Sequence, residues 1–242
     1  IKEVGCKAGI WVRPLLTLQH VPEEATFKSP YQVAGITLDP SHEYSKQQIY
    51  NDIKMISSWG YDMIKHDFTF LDMFGMTRID MYGLLMTDNW PRHFYDRSKT
   101  NAQIVKELYQ TIQDAAGDTN VMGCNTPNHL VAGIHASQRS GNDTSGRNFE
   151  ITRLACNCMM RFPQNNAFFN VDPDCAAFTE KVDAGLNLDF LENCAITGAV
   201  TLASVTPEIL NRKSVTHIVR SESIRCITNT LGLIFWVLIN KN

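Results

Sequence analysis

The sequence has no run of lysines and arginines and no helix-turn-helix or zinc-finger spacing, and its 22 basic and 25 acidic side chains leave a formal charge of -3. Without a basic stripe there is no phosphate-binding footprint, so nucleic acid is not an expected partner and a neutral substrate suits the balance better. Nor is there an apolar stretch of the ~20 residues that a membrane-crossing helix needs. The most apolar segment, Leu231 to Ile239, is too short, and no membrane partner is expected. Seven cysteines (Cys6, Cys124, Cys156, Cys158, Cys175, Cys194 and Cys226) include no Cys-x-x-Cys pair, and none of the seven histidines forms a His-x-His pair. Cys156-x-Cys158 therefore lacks the second pair that a zinc site requires, and the thiols read as small packing residues. An initiator Met and a signal-peptide pattern are absent too. Ile1 falls inside what reads as structure, so the true start is expected to be missing, and the compartment and oligomeric state stay open.

What is present is an ordinary globular composition, 44% hydrophobic and 19% charged, long enough for one large domain. Strand-like apolar runs alternate with helix-like periodic ones, which argues for a parallel sheet covered by helices, a barrel or a doubly wound sheet. Strands are expected at 10–16, 61–68, 120–125, 131–138 and 199–204, with a short extension at 33–38. Ser45 with Gln48 reads as a capping box opening a helix that carries Ile49, Ile53 and Ile56 to Gly60. Thr100 with Gln103 reads as a second, opening a helix that carries Ile104, Leu108 and Ile112 to Gly117. Further helices are expected at 147–158 and 186–194, and Thr206-Pro207-Glu208 reads as another helix start. Residues 69–100, rich in aromatics and Met, are too long for an idle connection and read as a lid.

Two of these strands end on charged residues. Tyr61 to Phe68 stops on Lys65-His66-Asp67, where an ammonium near a carboxylate favours its ionised form and suits a nucleophile. Gln138-Arg139-Ser140-Gly141-Asn142-Asp143 again ends on a carboxylate preceded by a cation, and a second carboxyl group is what glycosidic bond cleavage needs as general acid. Strand alternation turns His66 away from Lys65 and Asp67, which marks it as a packing histidine. In a barrel the chemistry lies at the strand C-terminal ends, so the polar residues there form one set: Arg13, Asp67, Cys124 with Asn125, Arg139 with Asp143, Asp172 with Asp174, and Ser204. Trp11 and Trp90 are candidate platforms for the apolar face of a sugar, with core packing as the alternative reading. Asp39 and His42 read as structural loop residues.

In this order the motifs resemble those of the α-galactosidase (melibiase-like) glycoside hydrolases of families 27 and 36. The likeness runs from about Gly9 to Leu210. It rests on Gly9-Ile10-Trp11, Leu38-Asp39-Pro40-Ser41-His42, Trp59-Gly60-Tyr61-Asp62, Lys65-His66-Asp67-Phe68, the segment from His93 to Thr100, Gly123-Cys124-Asn125-Thr126, the segment from Gln138 to Arg147, and Asp172-Pro173-Asp174. The resemblance implies a (β/α)8 TIM barrel, a retaining mechanism, Asp67 as nucleophile and Asp143 as acid/base. It further implies that Lys65 and Arg139 hold substrate hydroxyls, that Cys124 and Asn125 line the sugar pocket, and that Asp174 closes it, with Asp172 in the same element. A galactoside would be the partner, and no metal or organic cofactor is required. A retaining pair would hold its carboxyl groups about 5 to 5.5 Å apart.

In that family two further strands, bearing a sugar-binding tryptophan and paired acids, come first. Here the chain opens at the counterpart of the third, so an incomplete barrel is expected: strands three to eight in residues 1–226, then an apolar tail at 227–242 that reads as a buried strand, the start of a missing β-domain or a truncation scar. Two rivals remain: an inactive or merely carbohydrate-binding descendant, and a metal-dependent hydrolase on a similar barrel, which the absence of a His-x-His pair disfavours.

Overall fold

The computed structural model describes residues 2–27, 35–74, 94–144 and 146–205. Trp90, most of the expected lid, the helix start at Thr206 and the apolar tail lie outside the described residues. The chain divides into two compact units, Ile1–Gln138 and Arg139–Asn242. Both have the α/β character expected from the alternating pattern.

In the first unit, β1 (Gly9–Val12) precedes β2 (Leu16–Thr17), β3 (Thr26–Phe27) and β4 (Ile36–Leu38), and these last three form a small antiparallel sheet in the order β2-β4-β3. Helix α1 (Glu43–Ser58) follows, then β5 (Met63–His66), the short α2 (Thr69–Phe74), α3 (Asn101–Ala116), β6 (Asn120–Gly123) and the single-turn α4 (Asn128–Val131). Strands β1 and β6 flank β5, all parallel, with Val12 opposite His66 and His66 opposite Gly123. Met63, Ile64, Val121 and Met122 are buried, the near-continuous apolar pattern of a parallel sheet covered on both faces. Ile49 and Ile53 of α1, with Ile104, Leu108 and Ile112 of α3, supply the helical share of the core.

The start of α1 differs from the expected one. His42 is the N-cap, accepting the Tyr44 N–H at 3.2 Å on its ring, while Ser45 lies buried inside the helix and donates to the Ala25 carbonyl at 2.7 Å. A serine followed by glutamine three residues on satisfies the capping pattern whether or not its hydroxyl is needed elsewhere. The Thr100–Gln103 capping box forms as expected, and α3 ends at Gly117 with φ 59°. Asp39 is structural: its carboxylate accepts the Ser41 and Tyr95 amides at 2.8 and 2.7 Å, tying two motif segments together.

The strand expected over 131–138 is mostly not one. Pro127 opens α4, Gly133 turns the chain at φ 75°, and only β7 (Ser137–Arg139) is extended. Its first two residues pair in parallel with Met122 and Gly123 of β6. The division between units falls inside this strand.

In the second unit, α5 (Asn148–Arg161) leads to β8 (Asn170–Asp172), β9 (Cys175–Phe178), α6 (Ala184–Thr197) and β10 (Leu202–Val205). Ser140, just after β7, donates its amide to the Asp172 carbonyl at 2.8 Å, and β9 pairs in parallel with β10. Strand β9 was not anticipated. Its sequence, Cys-Ala-Ala-Phe, is short and rich in alanine, a residue depleted in strands, so its burial rather than its propensity holds it extended.

Candidate active site

The mouth of β5 is built from backbone first. His66 points into the core, wholly buried, and Lys65 and Asp67 are part-exposed, as alternation requires. The Asp67 amide donates to the Val12 carbonyl at 3.0 Å, which keeps it in line with the neighbouring strand. Its carboxylate accepts two hydrogen bonds: the Phe68 amide donates to Oδ1 at 2.7 Å, and the Trp11 indole Nε1–H donates to Oδ2 at 3.2 Å. Two donors on different oxygens fix the plane of the group. Trp11 is half exposed, so it is not core. Its ring meets Phe68 edge-on at 6.1 Å.

Phe68 sits at φ 64°, a region that a bulky residue enters only when its surroundings compel it, at a cost of about 1–3 kcal/mol. The compulsion is visible: the Arg13 guanidinium lies 4.5 Å from the centre of the Phe68 ring, and the same Arg13 donates through Nε to Asp72 of α2 at 3.0 Å. That ion pair is nearly dry, with Asp72 fully buried. Asp72 and Phe68 are site residues that sequence reasoning missed. An aspartate inside a predicted lid carries no signal that it will meet Arg13, 59 positions away.

Beside it, β6 ends on Cys124 and Asn125. Cys124 is buried and its amide donates to the His66 carbonyl at 2.9 Å. Asn125, at φ 57°, brackets the start of α2: its backbone carbonyl accepts the Phe70 amide at 3.2 Å and its side-chain oxygen the Leu71 amide at 2.9 Å. It also faces a cavity of about 550 Å³ walled largely by Phe70, Phe74, Val105, Pro127 and Leu130. Those walls suit an apolar group better than a ring of hydroxyls.

The second unit gathers Asp143, Asp172 and Asp174 around one cation. Arg139 is almost fully buried and its Nη2 lies 2.8 Å from Asp143 Oδ1 and 2.7 Å from Asp174 Oδ2, with Asp172 Oδ2 3.9 Å from Nη1. Asp172 is buried and its Oδ1 accepts the Asp174 amide, while Asp174, at φ 71°, accepts the Thr144 amide at 2.6 Å. Asp143 differs from its companions, its side chain being 79% exposed. Thus Arg139 is engaged by carboxylates, and Asp143 is the one of the three that reaches into solvent. The Cys175 thiol next to this cluster is pushed up to about 12, first by burial and then by the Asp174 charge, so it is a poor nucleophile. Among the described residues no group of three His, Cys, Asp or Glu side chains is arranged to hold a metal ion.

No family model matches the sequence, and no curated protein matches it. Solved structures do. TtGalA, an α-galactosidase from Thermus thermophilus, solved with p-nitrophenyl α-D-galactopyranoside, superposes with a TM-score of 0.58 at 16% identity, over 87% of this chain and 47% of that one. Abp, a family 27 β-L-arabinopyranosidase from Geobacillus stearothermophilus, gives 0.58 at 13% identity, over 90% of this chain and 55% of that one. The fold is therefore like that of the family 27 glycoside hydrolases, and the chain spans about half the length of the structures it matches.

Proposed function

We propose that this chain is the core of a retaining glycoside hydrolase acting on terminal α-galactosides or a close stereochemical relative, built on a TIM barrel of which the third to eighth strands are present. The observation that carries the reading is Asp67: a carboxylate at the mouth of a parallel strand, oriented by an indole and an amide donor, in a fold shared with sugar hydrolases. One carboxylate oxygen presented in a fixed plane is what attack on an anomeric carbon requires.

In this mechanism Asp67 attacks the anomeric carbon and forms a glycosyl ester while Asp143 gives a proton to the departing oxygen. Asp143 then removes a proton from the incoming water, which cleaves the ester with net retention. Arg139 pairs with Asp143, and through Asp174 it ties the Asp143 loop to the β8–β9 turn. Lys65 would meet sugar hydroxyls and the exposed half of Trp11 the ring's apolar face.

Hydrolysis of p-nitrophenyl α-D-galactopyranoside tests the reading. Activity is expected, with the α-anomer released first by NMR, and Asp67→Ala should lower kcat on the order of 10³-fold or more. Release of the β-anomer would overturn the double displacement. A second reading has its own support: Asp143 is exposed and paired with a cation, without the apolar surroundings that keep a catalytic acid protonated. It makes the chain a carbohydrate-binding descendant, and saturable galactose binding without turnover would establish it.

A further inference from the structure

The mechanism above uses the Asp67 carboxylate but not the ion pair between Arg13 and Asp72, and a short chain of contacts joins the two. The Phe68 amide donates to Asp67 Oδ1 at 2.7 Å, closer than the Trp11 indole on Oδ2 at 3.2 Å. The direction of that amide depends on the Phe68 torsion, φ 64°, which a bulky side chain does not hold unaided. Two contacts hold it. The Phe68 carbonyl accepts the Asp72 amide at 2.7 Å, and the Arg13 guanidinium lies 4.5 Å from the centre of the Phe68 ring. Arg13 and Asp72 are joined in turn by a two-pronged ion pair, Nε to Oδ2 at 3.0 Å and Nη2 to Oδ1, with the carboxylate fully buried and the arginine side chain only 10% exposed. The ring of contacts closes on the strands, because Arg13 follows Val12, whose carbonyl accepts the Asp67 amide at 3.0 Å. Asn125, at the end of β6, secures α2 from the neighbouring strand through the Phe70 and Leu71 amides.

We propose that Arg13 and Asp72 are a positioning pair for the Asp67 carboxylate: their ion pair holds the bend at Phe68, and the bend aims the Phe68 amide at Asp67 and fixes the plane of its carboxylate. The inference rests on the glycosidase reading for what Asp67 attacks, but not for how Asp67 is held. A guanidinium bound to a carboxylate through two parallel donors is a stiffer joint than a single ammonium contact, and its flat face can also lie against an aromatic ring. With both charges removed, the Phe68 torsion relaxes, its amide turns away from Oδ1, and Asp67 keeps the indole donor alone. A carboxylate held by one donor is free to rotate about its terminal bond. That loss falls on the transition state rather than on the binding of substrate, so kcat drops while KM holds.

The test combines Arg13→Met with Asp72→Asn in the full chain, so that the two charges leave together and neither is stranded in the interior. Two quantities are read: kcat and KM on p-nitrophenyl α-D-galactopyranoside, and the indole N–H resonance of Trp11 in protein labelled with 15N-tryptophan, assigned by its absence from Trp11→Phe. The expected result is a kcat lower by about 10²-fold with KM within about twofold, and an upfield move of the Trp11 indole proton as its hydrogen bond to Asp67 loosens, while the Trp59 resonance stays in place. Arg13→Lys, which keeps the charge but not the two-pronged hold, should fall between wild type and the double variant in both readouts, and it decides the matter alone if the double variant does not fold. Thr100→Ala weakens the fold at α3 and should leave both readouts at their wild-type values, which separates positioning from a general loss of stability. A wild-type Trp11 resonance and kcat in the charge-deleted protein, or an effect confined to KM, would overturn the proposal and leave the glycosidase reading standing. If the wild-type chain hydrolyses no galactoside, the glycosidase reading fails, and the Trp11 resonance by itself decides whether the pair holds Asp67.

Discussion

Lowering the pH from 7 to 5 should destabilise the first unit, because two histidines behind the β5 mouth are held neutral. His66 Nε2 lies 2.9 Å from His135 Nε2, and the Tyr109 ring of α3 meets His66 at a tilt and His135 edge-on, each at 5.7 Å. His135 Nδ1 faces the Gln113 side-chain oxygen at 3.4 Å, so that nitrogen carries the proton, His135 Nε2 accepts, and His66 Nε2–H donates. The remaining His66 Nδ1 is buried without a partner among the described residues. Burial pushes His135 down to about 3, and burial, with the neighbouring ring second, pushes His66 well below its ordinary range. Both groups therefore bind protons in the unfolded chain near 6.5 but not in the native one. The stability they contribute is complete above 6.5 and falls as the pH drops, for His135 until the native ring itself protonates near 3. Between pH 7 and 5 each ring accounts for about 2 kcal/mol, together about 4 kcal/mol, a large part of the 5–15 kcal/mol typical of a domain. Urea unfolding at several pH values measures the slope, and His135→Gln should remove about half of it. An unchanged slope in that variant, or equal stability at pH 7 and 5, would refute the argument.

Four further perturbations have defined outcomes. Arg139→Ala removes the cation shared by Asp143, Asp172 and Asp174, two of them buried or nearly so, and should cost about 3–5 kcal/mol in chemical denaturation, with Arg139→Lys recovering only part because one ammonium cannot span the cluster. Gly123→Ala would place its methyl 2.3 Å from the Gln138 side-chain oxygen and 3.2 Å from the His135 ring, a clash expected to lower stability by about 1–3 kcal/mol. Thr100→Ala deletes the capping box of α3 and should cost about 1 kcal/mol, read as a shift in the denaturation midpoint at constant slope. Trp11→Phe keeps an aromatic ring but loses the N–H donated to Asp67, so hydrolysis should fall in kcat by about tenfold while the fold, read by circular dichroism, stays intact.

How far the sequence was legible follows from the range over which each feature is encoded. Helices α1 and α3, with their apolar stripes, and strands β5 and β6 depend on patterns a few residues long, and all four appear close to where periodicity puts them. The alternation that turns His66 inward and leaves Lys65 and Asp67 near the surface is equally local. What failed was local patterning that competes with a second local signal: the apolar run at 131–138 reads as a strand, but Pro127 and Gly133 turn most of it into helix and turn. What was invisible was long-range pairing, where Arg13 finds Asp72 and His66 finds His135, because neither residue type implies its partner.

The backbone takes up unusual torsions at the strand mouths. Of the four non-glycine residues with positive φ among those described, three lie at or just beyond candidate site strands: Phe68 after Asp67, Asn125 after Cys124, and Asp174 between β8 and β9. Asn and Asp enter that region at modest cost, but Phe does not, and nothing in the sequence marks position 68 as strained. The bend at Phe68 lets its own amide turn back onto the Asp67 carboxylate and places its ring under Arg13. A glycine there would relieve the torsion and lose the ring. Phe68→Gly should therefore remove the Arg13 contact and free the Asp67 side chain to rotate, lowering hydrolysis more than stability, whereas a strand bend of purely structural origin would leave the ratio of the two effects reversed.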